Sequence, residues 1–309
     1  RHTRWNCDWS SDVCSSDLAP GLLAQPLATQ TVTVSAPTIT LSAATVGAGL
    51  QVFSGGSLGA TAHGGVTVTL ASSDSTALLL APDASTPGRG SITLAVPDGQ
   101  SSFSFYVQGV EGQADTVTVT ASATGFSPGS SLMSVVQPGI ALAGLPSSTT
   151  TLSADQPFYA YVGTPSGSTV SVQSVRAGSP GLTVTFAVSN LGVAQLTTAQ
   201  LTGDTVRATI ASGFYYTPTS VAAGGVAFDP VGVGTVTVTA RAPGFLAQPL
   251  ATQTVTVSAP TITLSAATVG AGLQVSAGGN LGATGHGGAS VTLVSSDSTA
   301  LLLAPDAST

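Results

Sequence analysis

Runs in which threonine alternates with an apolar, mostly β-branched residue recur along the whole chain, at residues 31–34, 38–41, 66–70, 116–120 and 235–239. Successive side chains of an extended strand point to opposite faces, so a period of two gives each strand one apolar face and one hydroxyl-bearing face. This pattern fits sheets with a single buried side and predicts antiparallel sheets stacked around a shared core. Turn residues interrupt the runs at short intervals, as at Gly55 and Gly56, Gly64 and Gly65, Pro97, Asp98 and Gly99, and Gly224 and Gly225. Short strands between such turns predict an all-β chain of sandwich type. No convincing amphipathic helix is present; residues 43–50 contain helix-forming types, but Gly47 and Gly49 break them.

A long-range repeat sits on top of the short period. Residues 19–86 return as residues 242–309, with 60 of 68 positions identical at a constant offset of 223. The differences, such as Phe53/Ser276, Ala62/Gly285 and Val66/Ala289, have the character of drift between duplicated units. The chain therefore reads as a window on a tandem array. A weaker echo divides the unit, because TVTVTASATGF at 116–126 is matched by TVTVTARAPGF at 235–245, and VTVTL at 66–70 by LTVTF at 182–186. Offsets of 119 and 116 predict two modules per unit, each the size of one sandwich. The expected division is 19–35 as the last strand of a preceding module, 36–137 as module A, 138–258 as module B and 259–309 as a truncated copy of module A.

Residues 1–18 differ from the rest. DWSSDVCSSDL at 8–18 is the translation of a standard sequencing adapter, so this segment is expected to be non-native and is set aside. It holds both cysteines and both tryptophans, so the remaining chain offers no disulfide, thiolate metal site or cysteine nucleophile. Beyond it, four arginines and no lysine stand against ten acids. With no basic cluster, nucleic acid and anionic lipid are not expected partners. At 42% hydrophobic the chain has enough apolar material to fold. Its apolar runs fall short of the ~20 residues of a membrane helix, and its strands are shorter than the ~9–11 residues of an outer-membrane barrel, so no membrane insertion is expected.

Module A carries VTVTLASSDSTALLLAPD at 66–83, SITLAVPDGQSSFSFYVQGVEG at 91–112 and DTVTVTASATGF at 115–126. This succession resembles the bacterial immunoglobulin-like (Big-type) domains of tandem surface proteins, and module B resembles them more loosely. The resemblance implies immunoglobulin-like β-sandwiches repeated along a secreted or cell-surface, adhesin-like bacterial protein, with neighbouring modules of the same chain as partners. The tryptophan and cystine of antibody domains are missing, so only the sandwich carries over.

Chemistry-bearing residues are few. His63 and His286 each precede two glycines, and without nearby Cys or carboxylate they are read as turn residues rather than metal ligands. Asp74, Asp83, Asp297 and Asp306 lack the spacing of a calcium loop and are read as Asx turns; a calcium ion between modules would need carboxylates distant in sequence. There is no G-x-S-x-G elbow, no phosphate loop, and no carboxylate pair that the sequence places in a cleft. No cofactor or metal is expected. Module B collects aromatics at Phe158, Tyr159, Tyr161, Phe214, Tyr215 and Tyr216. Tyr159, Tyr161, Tyr215 and Tyr216 are the candidate binding residues, for a surface glycan or protein. The competing reading is that they complete a core lacking tryptophan.

The expected function is a non-enzymatic spacer or stalk. One structural expectation follows from the repeat: residues 30–34 and 253–257 compete for one place in module B, and 253–257 should hold it through continuity with residues 235–239.

Overall fold

The computed structural model describes residues 33–283, 285, 287–306 and 308. The adapter-like segment, most of the strand expected at 30–34, and His286 lie outside the described residues.

The first sandwich is built from β1 (Thr40–Leu41), β2 (Ala44–Gly47), β3 (Leu50–Ser57), β4 (Val66–Ser72), β5 (Leu78–Ala81), β6 (Ser91–Val96), β7 (Ser102–Gly109), β8 (Asp115–Ser122) and β9 (Gly129–Val136). One sheet runs β1-β3-β7-β5 and the other β2-β9-β8-β4-β6, with β2 parallel to β9. The Val/Thr alternation of β8 does what its period dictates: Val117, Val119 and Ala121 are buried while Thr116 and Thr120 face water. Leu50, Val68, Leu70, Leu78, Leu80, Phe105, Val107 and Met133 fill the space between the sheets. Each large side chain fully buried there contributes ~1.5–3 kcal/mol.

The second sandwich uses β10 (Gly139–Ala143), β11 (Ser148–Thr150), β12 (Gln156–Ser166), β13 (Thr169–Val172), β14 (Ser174–Val175), β15 (Leu182–Val188), β16 (Ala194–Thr197), β17 (Thr202–Gly203), β18 (Thr205–Ile210), β19 (Val226–Pro230), β20 (Gly234–Arg241), β21 (Leu246–Ala247) and β22 (Thr252–Ser258). One sheet runs β11-β22-β20-β15-β18 and the other β17-β16-β19-β12-β10-β21, with β13 added to β12. The plan of the first sandwich is repeated here. β11 is parallel to β22 as β2 is to β9, and the path β22-β20-β15-β18 copies β9-β8-β4-β6. Both sequence echoes fall on corresponding strands, β8 with β20 and β4 with β15. In the core of this second sandwich Phe158 and Phe186 are in edge-to-face contact at 5.5 Å. These are two immunoglobulin-like β-sandwiches in an all-β chain.

Residues 253–257 lie in β22, paired with β20 over 234–239. Thr33 and Val34, the described end of the competing segment, form no strand.

The sheets do not close wholly within each half. β14 follows β13 in sequence but pairs antiparallel with β3, Ser174 opposite Gln51 and Val175 opposite Leu50. The cause is an uncovered edge, since β1 reaches only Gly56 and Ser57 of β3. Backbone N–H and C=O groups at Leu50 and Gln51 need partners, and the second sandwich supplies them.

Past Ser258, the described residues form one short hairpin, β23 (Thr263–Leu264) with β24 (Gly279–Asn280).

Candidate functional site

The four tyrosines meet on one surface. On β12, Phe158 and Ala160 point into the core, so Tyr159 and Tyr161 must point out. The segment around residues 214–217 lies along the free edge of β12: Val162 N–H donates to Tyr215 C=O at 2.9 Å, Thr217 N–H to Ala160 C=O at 2.9 Å, and Ala160 N–H to Thr217 Oγ1 at 3.1 Å. This brings the rings into a chain of mostly edge-type contacts: Tyr159–Tyr161 at 6.5 Å, Tyr159–Tyr216 at 5.9 Å, Tyr215–Tyr216 at 4.8 Å and Phe214–Tyr216 at 6.3 Å.

None of the four completes a core. Tyr159, Tyr161 and Tyr216 are half-buried, Tyr215 is 39% exposed, and the adjoining Phe214 is 54% exposed. The core reading fails because Phe158, Phe186 and Phe228 already fill the interior, leaving the tyrosines on the solvent side of β12. Such a surface can stack on a flat or ring-shaped apolar face. Phe214 carries no sequence signal separating it from the tyrosines, and it belongs to the same patch.

The same segment also holds the joint between the sandwiches. Val175 N–H donates to Phe214 C=O at 2.8 Å, and Gly213 N–H to Val175 C=O at 2.9 Å. The short β14 is thus clamped between β3 of one sandwich and residues 213–214 of the other. Gln173, just before it, grips the edge of β2: its Oε1 accepts from Gly47 N–H and its Nε2 donates to Thr45 C=O, both at 2.8 Å. Just after it, Arg176 N–H donates to Gly49 C=O at 3.0 Å and Ala177 N–H to Gln51 Oε1 at 2.9 Å.

Two buried glutamines extend this contact. Gln108 is fully buried; its Nε2 donates to Gln51 Oε1 at 3.0 Å and to Thr86 C=O at 3.1 Å, while its Oε1 accepts from Gly88 N–H at 2.9 Å. Gln51 Nε2 donates to Ala84 C=O at 2.8 Å. A buried amide without partners costs more than a made bond gains, so each link holds its neighbour in place. Gly178 closes the contact: its backbone has φ +82°, and a β-carbon there would lie 2.9 Å from Pro87.

Arg176 also forms a two-point ion pair with Glu111, both contacts at 2.8 Å. Burial pushes the Glu111 carboxyl up, but the Arg176 hydrogen bonds and charge outweigh it and leave the group below its ordinary value. Glu111 is half exposed, so the pair adds well under ~1 kcal/mol after solvent screening. A hollow of about 90 Å³ beside the joint, lined by Gly49, Glu111, Val175, Leu182 and Phe245, is too small for a typical organic ligand.

The remaining candidates are structural. His63 Nδ1 accepts from Gly65 N–H at 3.2 Å, which leaves Nε2–H to donate to Gln100 C=O at 2.7 Å. Asp98 Oδ1 accepts from His63 and Gly64 N–H, so the two loops are tied together. Asp74 and Asp83 sit in Asx turns, accepting from Thr76 N–H and from Ser85 N–H, each at 2.8 Å. Asp155 is pushed up by burial and by the neighbouring Asp229, whose Oδ2 accepts from Gln195 Nε2 at 2.6 Å. Among the described residues no three His, Cys, Asp or Glu side chains converge as metal ligands, and no helix is long and apolar enough to cross a membrane.

No protein-family profile matches the chain, and no curated protein matches it. Among solved structures it is similar to the adhesin InvE of Yersinia pseudotuberculosis (17% identity, 73% of this chain and 59% of that one, TM-score 0.25). It is also similar to the calcium-binding domain CBD12 of CALX1.1 (9% identity, 71% and 99%, TM-score 0.30) and to the type II cohesin dyad from the ScaA scaffoldin of Acetivibrio cellulolyticus (8% identity, 71% and 98%, TM-score 0.21). The chain spans about three fifths of the adhesin's length. At these TM-scores the likenesses add nothing to the fold described from its own sheets.

Proposed function

We propose that this chain is a section of a non-enzymatic stalk, built from immunoglobulin-like modules and carried outside a bacterial cell by an adhesin-like protein. The observation that supports it is repetition of one architectural plan: two sandwiches share their strand order, and the opening hairpin of the first recurs with Thr263 opposite Asn280, as Thr40 is opposite Ser57. Modules at 36–137 and 138–258, each burying apolar residues between two sheets, extend a chain by fixed increments and need no converging chemistry. The motifs of β4, β6, β7 and β8 that resemble Big-type domains point the same way.

Chains carrying one, two and three copies of residues 36–258 in series test this reading. Small-angle scattering should show a maximum dimension that grows by the same increment with each copy. Collapse into a globule that does not lengthen would refute it.

A second reading rests on the gathered rings of Tyr159, Tyr161, Tyr215 and Tyr216, none of them buried. Through these the chain would bind a glycan or protein surface. A saturable glycan-array signal that disappears in the Tyr215→Ala, Tyr216→Ala variant would establish it; no signal at millimolar glycan leaves the stalk reading in place.

A further inference from the structure

We infer that the two sandwiches are locked into one rigid body by the residue 173–178 segment, so that the element this array repeats mechanically is the 223-residue pair and not the single module. The inference rests on the stalk reading for what the joint is for. The geometry stands by itself.

Two modules joined only by a peptide would pivot about Gln137 and Pro138. Here the second sandwich reaches back into the first at three levels. Its β14 completes the β3 edge, which fixes a direction, because a strand pair admits one register and one approach. Its Gln173 side chain bonds both an N–H and a C=O of β2, in the opposite sheet of the first sandwich, so both layers are held. Its Ala177 amide enters the buried Gln51–Gln108 network, and Gly178 packs against Pro87. The linker itself is crowded, with a β-carbon on Gly47 placed 2.9 Å from Pro138. On the far side, residues 213–214 clamp β14, so the second sandwich cannot swing while the strand stays put.

The acceptor surface is reproduced in the repeat. Thr268, Gly270, Gly272 and Gln274 stand where Thr45, Gly47, Gly49 and Gln51 stand, whereas the outward Phe53 next to them is replaced by Ser276. The second copy, at 259–309, thus carries the same residue types as the stretch that receives the 173–178 segment, and the occupant this predicts is a further second-type sandwich.

The full chain tests this by hydrogen exchange and calorimetry. In the unaltered protein the Arg176 and Ala177 amides should exchange as slowly as those of core strands β8 and β20, and both sandwiches should melt in one transition. Exchange of these amides at loop rates, or two separate transitions, would overturn the inference. In the Gln173→Ala, Arg176→Ala variant, protection at 174–177 should fall by at least tenfold and the melt should split in two. A variant that keeps both the single transition and the protection would equally overturn it. Phe53→Ser is the control at a nearby exposed site and should change neither readout. A pivoting joint would leave the stalk reading intact, while glycan binding at the tyrosines would displace the stalk reading and leave the joint intact.

Discussion

Residues 36–83 and 259–306 differ at seven of 48 positions, yet the first stretch builds five strands of a packed sandwich, whereas the described residues of the second form one two-residue-wide hairpin. Leu50, Leu70 and Leu80 are fully buried, while their counterparts Leu273, Leu293 and Leu303 are 74%, 52% and 50% exposed. The seven substitutions do not account for this, because every one of those leucines is retained. What differs is the company. In the first copy β2 pairs with β9, β3 and β5 with β7, and β4 with β6 and β8, all supplied by residues 91–136. Among the described residues, the only strand pairing within 259–306 is that of β23 with β24. Val/Thr alternation therefore sets which face a strand buries once it has partners, and the partners decide whether it is a strand at all.

Strand partners like those of the first copy should close the second. Appending residues 87–137 directly after Thr309 should convert 259–309 into a third sandwich with the sheet order of the first. A two-state domain of this size is worth ~5–15 kcal/mol, so amides of residues 289–295 should go from unprotected to strongly protected in hydrogen exchange. Unchanged exchange would mean that the substitutions, and not the absent strands, keep the second copy open.

A smaller effect is expected from truncating one leucine in each copy. Leu70→Ala removes a fully buried side chain between two sheets and should cost ~2–5 kcal/mol in denaturant unfolding. Leu293→Ala alters an exposed residue and should stay within ~0.5 kcal/mol. Equal costs would show that the second copy is packed in solution. In the extended chain the two costs should converge, which ties this prediction to the previous one.

How far the amino-acid sequence reveals this molecule follows the same division between local and distant. The burial of Val117, Val119 and Ala121, and of Val236, Val238 and Ala240, is legible because a strand's period is a property of neighbouring residues. So are the Asx turns, whose bonds span two or three residues. The crossing of β14 is not: Ser174 and Val175 show no periodicity, and their partners lie more than 120 residues away. Gln51 and Gln108 carry no sequence signal of burial, because only the fold brings two loops and a neighbouring sandwich over them. The alternation in β12 puts Tyr159 and Tyr161 on one face and Phe158 and Ala160 on the other, but which face meets solvent, and the meeting with Tyr215 and Tyr216, depend on the opposing sheet and on where residues 211–217 cross that strand. The alternative of buried tyrosines fails for the same reason, because the three phenylalanines that exclude them come from separate strands.

The two copies share their Asx turns. Asp74 Oδ1 accepts from Thr76 N–H and Thr76 Oγ1 at 2.8 and 2.6 Å, and Asp297 Oδ1 accepts from Thr299 at 2.9 and 2.6 Å. The Thr side-chain and backbone hydrogen bonds hold both carboxyls below the ordinary aspartate value in spite of their exposure. Side-chain bonds from Ser85 and Thr86 lower Asp83 further, to about 2. A carboxyl depressed in the folded state stabilises it above the unfolded pKa, and that contribution is lost as the pH falls through the folded value. The first sandwich should therefore lose a small increment of stability between the ordinary aspartate range and about pH 2, and Asp74→Asn with Asp83→Asn should flatten that part of its unfolding profile. Asp297 should titrate low in carboxyl-carbon NMR just as Asp74 does, because its turn is made within three residues. Its protonation should leave unfolding unchanged, because Leu273, Leu293 and Leu303 of the second copy are exposed and offer no core to couple to. A normal titration of Asp297 beside a depressed Asp74 would show that even this turn needs the sandwich around it.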